Sequence, residues 1–190
     1  MDDNEAFLPE LSYWIDLSEV IVDVSADWEL FARDNGGNGL DARQVIGRNL
    51  LGFVHGDVSR MFVRTLVQSA RLQRRPMIRP YRCDSPTTRR YMEMRLSLDD
   101  SGLLRWDHRT VRTEPMRHPL FFTTQQQGKA LGRAGRIVRC SMCNRVKLGS
   151  NWGEGDQVIE NCAQDSEILV IYGVCPDCLG QGKLPGSRQG

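Results

Sequence analysis

The clearest hydrophobic pattern in the sequence lies in residues 89–98. Apolar side chains occupy every second position there, at Met92, Met94, Leu96 and Leu98. A period of two predicts a β-strand with one face in a protein core. Residues 77–83 and 103–112 are predicted as two further extended segments. The sequence Asp-Asp-Ser-Gly at 99–102 suits a hairpin turn, because Gly accepts a positive φ and Asp tolerates turn geometry. We therefore expect three successive antiparallel strands.

Helical spacing is found upstream of these strands. Residues 58–74 carry apolar side chains every three to four positions, and Pro76 follows as a stop signal. The segment 19–25 alternates as a strand does, and 26–35 fits a short helix that ends where Asn35 meets two glycines. The order of strand, short helices, long helix and three strands predicts an α+β fold.

Motifs at three places in this region resemble those of a PAS domain. They are Trp28-x-x-Phe31-Ala32 after the first strand, Val-Ile-Gly-Arg at 45–48, and Pro-Tyr-Arg-Cys-Asp-Ser-Pro at 80–86. The resemblance covers residues 12–113. It implies a PAS-like five-stranded antiparallel sheet with helices on one face, around a small internal pocket.

The C-terminal half divides into three parts. Residues 114–135 contain prolines, a Gln run and several Gly, and their apolar residues follow neither a helical nor a strand period. They are therefore interpreted as a linker. The apolar residues Leu120, Phe121 and Phe122 are expected to dock on one of the domains. Residues 136–182 are predicted to form a small second module, and the polar, Gly-rich residues 183–190 a disordered tail.

The composition is that of a water-soluble globular protein. Apolar residues make up 40% and charged residues 26% of the 190 positions. No apolar run approaches the roughly 20 residues needed to cross a bilayer, and the acidic N-terminus does not resemble a secretory signal. These features predict a cytoplasmic protein without membrane contact. In that reducing compartment, paired cysteines are expected to be metal ligands or redox groups.

Charge is distributed unevenly along the chain. Residues 1–42 carry eleven acidic side chains and one Arg, whereas residues 43–95 carry twelve Arg and three acidic side chains, within a net charge of +1. Our first interpretation is that these two segments pack against each other, within a monomer or across a homodimer. The alternative is a surface for a partner or for nucleic acid.

Four cysteines form the strongest chemical signal. Cys140 and Cys143 make one Cys-x2-Cys pair, Cys175 and Cys178 make another, and 31 residues separate the pairs. Two such turns facing each other supply four thiolates for a tetrahedral zinc ion, with bonds of about 2.3 Å. The sequence therefore predicts a structural four-cysteine zinc site in a ribbon-like or knuckle-type module, which is too small to fold without metal.

These cysteines have three alternative roles. The separation exceeds the roughly 15–20 residues that are commonest between such pairs, so a redox dithiol, an iron–sulfur site and a site without metal are alternatives. A redox role requires a cysteine of low pKa at a helix N-terminus in a thioredoxin-like βαβ unit. The sequence places neither pair in that context. Cys83 and Cys162 have no partner at ligand spacing and are interpreted as structural thiols.

Residues 137–180 also resemble a cysteine-rich segment that follows sensory domains in some bacterial signalling proteins, especially in Gly-Val-Cys-Pro-Asp-Cys at 173–178. That resemblance implies a metal-stabilised interaction module. Basic side chains surround the first pair. A zinc ion with four thiolates carries a net double negative charge, so local compensation is the first interpretation and DNA contact the second. The basic residues are Lys129, Arg133, Arg136, Arg139, Arg145 and Lys147.

The ligand pocket that the PAS resemblance implies has candidate lining residues, with haem and flavin left open as cofactors. His108 shares a strand face with Trp106 and His55 lies in a loop, but ordinary roles are favoured for both histidines because nothing else marks a haem site. The candidates are Trp28, Phe31, Phe53, Met94, Trp106 and His108.

No catalytic motif is present in the sequence, so we expect a non-enzymatic protein. The first hypothesis is a bacterial-type sensory or adaptor protein, in which a PAS-like domain senses a small ligand or mediates pairing and a zinc module binds a partner protein. The second is a zinc-dependent transcriptional regulator that binds nucleic acid through its Arg-rich regions. A thiol redox protein is the third.

Overall fold

The computed structural model describes residues 7–34, 40–124, 137–159 and 167–181. Its first sheet contains five strands, in the spatial order β2-β1-β5-β4-β3, and every neighbouring pair is antiparallel. The expected α+β class and the five-stranded antiparallel sheet are confirmed. The strands are β1 Leu11–Ile15, β2 Ile21–Val24, β3 Met77–Arg82, β4 Thr88–Leu98 and β5 Leu104–Pro115.

The alternation that predicts β4 corresponds to its buried face. Met92, Met94 and Leu96 are all less than a tenth exposed, and they pair across the sheet with residues of β5. The hairpin turn forms as predicted: Gly102 has a φ of +84°, and its amide donates to the Asp99 carbonyl at 3.0 Å. The sheet is therefore built around the element with the clearest sequence pattern.

Helices cover one side of this sheet. Helix α1 is Trp28–Asp34, α2 is Ala42–Val45, a 3₁₀ turn covers Leu50–Phe53, and α3 is Asp57–Gln73. Helix α3 buries Leu66, Val67 and Ala70, as its helical spacing predicts. Val58 at its start is instead 45% exposed, and Ser59 is buried. The described residues contain no helix long and apolar enough to span a membrane.

The second unit has a mixed sheet in the order β6-β10-β7-β8-β9. Strand β10 runs parallel to both β6 and β7, and the β7-β8-β9 pairs are antiparallel. Two short helices, α4 and α5, complete the unit. The elements are β6 Phe121–Thr123, β7 Ile137–Cys140, β8 Val146–Leu148, β9 Asn151–Gly153, α4 Gly155–Val158, β10 Glu167–Gly173 and α5 Pro176–Gln181.

Part of the segment interpreted as a linker belongs to this second sheet. Strand β6 lies within residues 114–135, and Leu120 beside it is 4% exposed in a cluster with Ile168 and Val146. The expected docking of the Leu120–Phe122 stretch is therefore observed. Residues 125–135 and the predicted tail 183–190 lie outside the described residues.

The two units share a continuous core. One cluster of buried residues includes Tyr13, Leu96 and Trp106 of the first sheet together with Cys140 and Met142 of the second unit. Backbone hydrogen bonds cross the same boundary, since the Arg82 amide donates to the Met142 carbonyl at 2.7 Å. The cysteine-bearing loop is thus held directly against the end of β3.

Buried ion pairs reinforce that boundary. The Arg82 guanidinium bonds Asp84 at 2.5 Å within the first unit and Glu154 at 2.6 Å in the second. Arg89 pairs with Asp156, whose side chain is 1% exposed and which also accepts from the Arg117 amide at 2.8 Å. Removing one partner of such a buried pair costs more than losing a surface pair, because the remaining charge stays desolvated.

Candidate metal centre

The first cysteine pair occupies a tight turn between β7 and β8. Strand β7 ends at Cys140, whose amide donates to the Arg145 carbonyl at 2.8 Å, and the Asn144 amide donates back to the Cys140 carbonyl at 3.0 Å. Asn144 has a φ of +58°, in the left-handed region that Asn tolerates better than most residues. This turn directs the sulfurs of Cys140 and Cys143 to the same side.

The second pair lies where β10 leads into α5. Cys175 directly precedes this six-residue helix, Cys178 lies in its first turn, and the Leu179 amide donates to the Cys175 carbonyl at 3.1 Å. Parallel pairing of β10 with β7 places Gly173 opposite Cys140. Strand pairing therefore brings together two cysteine pairs that are 31 residues apart in the sequence.

All four sulfurs form one buried cluster. The sidechain Sγ atoms of Cys140, Cys143, Cys175 and Cys178 lie within 4.8 Å of one another. The Sγ atoms of Cys143 and Cys175 are 3.7 Å apart. A tetrahedron with metal–sulfur bonds of about 2.3 Å has sulfur–sulfur edges of about 3.8 Å. The donor set and its spacing thus fit a tetrahedral metal ion.

Arg145 supplies positive charge to the cluster. Its guanidinium donates to the Cys143 Sγ at 3.4 Å and to the Cys175 Sγ at 3.5 Å, and it bonds Asp177 at 2.5 Å. The Cys175 amide adds a further donor to the Cys140 Sγ at 3.3 Å. These contacts stabilise negative charge on sulfur. Among the described basic residues of this stretch, Arg145 is the side chain that bonds the sulfurs.

The thiols hold their protons unequally. The hydrogen bond from Cys143 lowers the pKa of Cys140 to about 6, and the same bond raises the pKa of Cys143 above its ordinary range. Thiolate is the form that binds metal. A divalent cation that displaced the remaining protons would bind all four sulfurs as thiolates.

One feature of the redox alternative is present after all. The sequence pattern predicts neither pair at a helix N-terminus, but Cys175 directly precedes α5, and hydrogen bonds from Cys140 and Cys143 lower its pKa. Helix α5 is short, however, and the second pair does not stand alone as a thioredoxin dithiol does. Its sulfurs belong to the four-sulfur cluster.

Cys83 lies apart from the metal centre. It is half-buried at the end of β3, and burial raises the pKa of its thiol. It is a free cysteine and is not part of the cluster, as its lack of a partner at ligand spacing indicates. Cys162 lies outside the described residues.

The candidate pocket residues lie in different places. Phe53 and Met94 line a cavity between α3, the first sheet and the cysteine-bearing turn, and so does His55. Trp106 and His108 are buried deeper, where both rings stack on Tyr13. The structure therefore does not place all the candidates around that cavity.

The remaining candidates lie near Tyr13 or on α1. Trp28 meets the Tyr13 ring edge-on and donates its indole N–H to the Leu40 carbonyl at 2.6 Å, and Phe31 is half-buried on the same helix. His108 bonds the Tyr81 hydroxyl at 2.8 Å, and burial lowers the pKa of its imidazole to about 4. The imidazole is neutral at neutral pH.

Among the described residues, most ion pairs formed by the arginines of residues 43–95 and of β5 involve carboxylates outside the acidic segment 1–42. Asp107 is fully buried between Arg95 and Arg105, and Arg109 bonds Glu93 at 2.8 Å. Among the described residues, one ion pair joins the two segments, between Arg64 and Glu19 at 3.8 Å. The arginines of the sheet are thus largely neutralised within the sheet and by the second unit.

Comparison with known proteins gives no family assignment. No family model matches the sequence, and no curated protein matches it.

Proposed function

We propose that Cys140, Cys143, Cys175 and Cys178 bind one structural zinc ion. The observation that carries this proposal is the buried cluster of four sulfurs within 4.8 Å of one another. Zinc favours four thiolates in a closed tetrahedral site, and such sites contribute folding energy to small modules. Four protein ligands leave no open position for a substrate, which favours a structural role over a catalytic one.

Elemental analysis of the purified full chain tests this proposal. We expect one zinc per chain in the wild-type protein and a large loss of zinc in Cys140→Ser and in Cys175→Ser. Cys83→Ser is the matched control, because Cys83 lies apart from the cluster, and it should retain full zinc content. Wild-type protein that purifies with iron, or without metal, would refute the zinc assignment.

We further propose that the chain is a non-enzymatic sensory or adaptor protein of bacterial-type signal transduction. In this account the first unit is a PAS-like domain, and the zinc-bearing unit binds a partner protein. The five-stranded antiparallel sheet supports the PAS-like assignment, together with the motifs at 28–32, 45–48 and 80–86. The shared core supports communication between the units, because a change in one alters contacts of the other.

The ion pairs favour a protein partner over nucleic acid. Arginines that are paired with buried carboxylates, such as Arg82, Arg89 and Arg95, are poorly placed to bind phosphates. A nucleic-acid regulator would bind nonspecific DNA with an affinity that falls steeply as salt rises, because binding releases counterions. We expect no such salt-dependent binding, and measuring it by fluorescence anisotropy distinguishes the two hypotheses.

A further inference from the structure

A cavity of about 360 Å³ lies where the two units meet. Its walls come from the 3₁₀ turn, from α3, from the end of β3, from the middle of β4, and from the loop that carries the first cysteine pair. Small-molecule sites in proteins commonly have volumes of about 300–1,000 Å³. The cavity is therefore large enough for a compact organic ligand that would contact both units at once.

Much of the wall is apolar. Phe53, Phe62 and Val63 face the cavity from the helical side, Met94 from the sheet and Met142 from the cysteine-bearing loop. Such a surface binds a hydrocarbon or aromatic body by removing it from water. The ligand must thus have a substantial apolar part.

Arg139 places an unbalanced positive charge at this cavity. Its Nε atom is buried without a hydrogen-bond partner, and in the described part of the chain its guanidinium forms no ion pair. The guanidinium carbon lies 4.4 Å from the centroid of the Phe122 ring, and Nη1 donates to the Tyr172 hydroxyl at 3.5 Å. By contrast, Arg82, which also lines the cavity, has two carboxylate partners. An anionic group on the ligand would give Arg139 the partner it lacks.

The nearby charges favour a head with a single negative charge. Asp84 also lines the cavity, and its carboxylate already accepts from the Arg82 guanidinium and from the Arg90 amide. A phosphate ester carries close to two negative charges at neutral pH and would be repelled more strongly by Asp84. A carboxylate carries one charge, and its planar pair of oxygens matches a guanidinium.

We infer that this cavity binds a small carboxylic acid with an apolar body, held through its carboxylate by Arg139. This inference deepens the proposed sensory function, on which it rests, by naming the chemical class of the ligand. The ligand would touch Ser141 and Met142 between the first two cysteines as well as α3 and the sheet. Occupancy would thereby stabilise the contact between the sheet and the zinc-bearing unit.

Isothermal titration of the full chain with two acids, octanoate and 3-phenylpropionate, tests the inference. We expect at least one acid to bind to wild-type protein, while the neutral probes 1-octanol and 3-phenylpropan-1-ol and the dianion 2-phenylethyl phosphate bind at least tenfold more weakly. Arg139→Met should weaken binding of the acid at least tenfold, because it removes the charge and keeps an apolar side chain of similar length.

Arg79→Met is the matched control. Arg79 also has a buried Nε without a hydrogen-bond partner, but it does not line the cavity, so this variant should bind the acid as wild-type protein does. The inference is overturned if neither acid binds, if the alcohols bind equally well, or if Arg139→Met retains wild-type affinity.

Zinc content is measured in each preparation. If the chain contains one zinc but binds neither acid, this inference alone is overturned. If the chain binds the acids but contains no metal, the zinc proposal alone is overturned.

Discussion

Arg145 is the side chain most directly coupled to the sulfur cluster. It donates to the Sγ atoms of Cys143 and Cys175 and is anchored by Asp177. We predict that Arg145→Gln lowers zinc affinity by about 10–100-fold, the usual cost of losing a partner that orients and charge-balances metal ligands. Competition with a chromophoric chelator measures this change.

Lys147 provides the control for Arg145. It is an exposed basic residue of the same small sheet, and no contact joins it to the four sulfurs. Lys147→Gln removes the same charge and should leave zinc affinity within about twofold of wild type, since exposed charges are strongly screened. Equal weakening by both variants would indicate that general charge, rather than the Arg145 hydrogen bonds, stabilises the site.

Among individual residues, the sequence predicted the four clustered cysteines but not the side chains around them. Spacing alone selects Cys140, Cys143, Cys175 and Cys178, because each pair is local and a two-residue interval has few conformations. The role of Arg145 was visible only as one of six neighbouring basic residues. Arg139 contacts Phe122, and pairing of β6 with β10 places Phe122 there. No local pattern in the sequence predicts that strand pairing.

Among the elements, the start of α3 lies close to the backbone of β10. Gly56, immediately before α3, has a φ of +85°, and a Cβ built there would lie 2.8 Å from the Tyr172 carbonyl oxygen. We predict that Gly56→Ala destabilises the folded chain by about 2 kcal/mol, because it adds backbone strain and pushes α3 from β10. Urea unfolding measures the loss.

Gly52 is the matched control for that substitution. It lies in the neighbouring 3₁₀ turn, and a Cβ there meets nothing within 4 Å. Gly52→Ala should change the free energy of unfolding by less than about 0.5 kcal/mol, the usual range for surface substitutions. If Gly52→Ala destabilises the chain as much as Gly56→Ala does, the contact between residue 56 and the Tyr172 carbonyl is not the cause of the loss.

Elements whose apolar residues follow a clear period, such as β4 and α3, were predicted from the sequence. Elements without such a period, such as β1 and β6, were not. Strand β4 and helix α3 each bury one face, so their sequences alternate or repeat accordingly. Strand β1 pairs with both β2 and β5, and four of its five residues are buried, so Leu11–Ile15 shows no alternation. Strand β6 has three residues, which is too short for any period.

For the molecule as a whole, the shared core joins the four-cysteine cluster to the first sheet. Because Cys140, Met142 and Cys175 belong to the same buried cluster as Leu96 and Trp106, loss of zinc should loosen both units. We predict that a strong chelator lowers the Tm of the full chain by about 10 °C or more, since each kcal/mol shifts the Tm of a chain of this size by roughly 2–4 °C.

Near-UV circular dichroism distinguishes coupled units from independent ones. Trp106 stacks with Tyr13 in the first sheet, so its near-UV signal contributes to the unfolding transition of that sheet. Coupling predicts that the near-UV and far-UV transitions shift together when zinc is removed. A sheet transition that stays at its original temperature while the cysteine-bearing unit melts would contradict a common core.

The sequence predicted two units but not the contact between them. Composition separates an α+β segment from a cysteine-rich one, and residues 114–135 carry the irregular pattern typical of a linker. The pairs that join the units are distant in sequence, such as Arg82 with Glu154 and Ser59 with Ser141. A single sequence gives no period or local motif for such long-range pairs.

The most direct test of the central claim is X-ray absorption at the zinc edge on the purified full chain. A structural site formed by Cys140, Cys143, Cys175 and Cys178 predicts a single shell of four sulfurs at about 2.3 Å from zinc. A shell with nitrogen or oxygen at about 2.0–2.2 Å would contradict the account, and so would a sample that shows no zinc absorption edge.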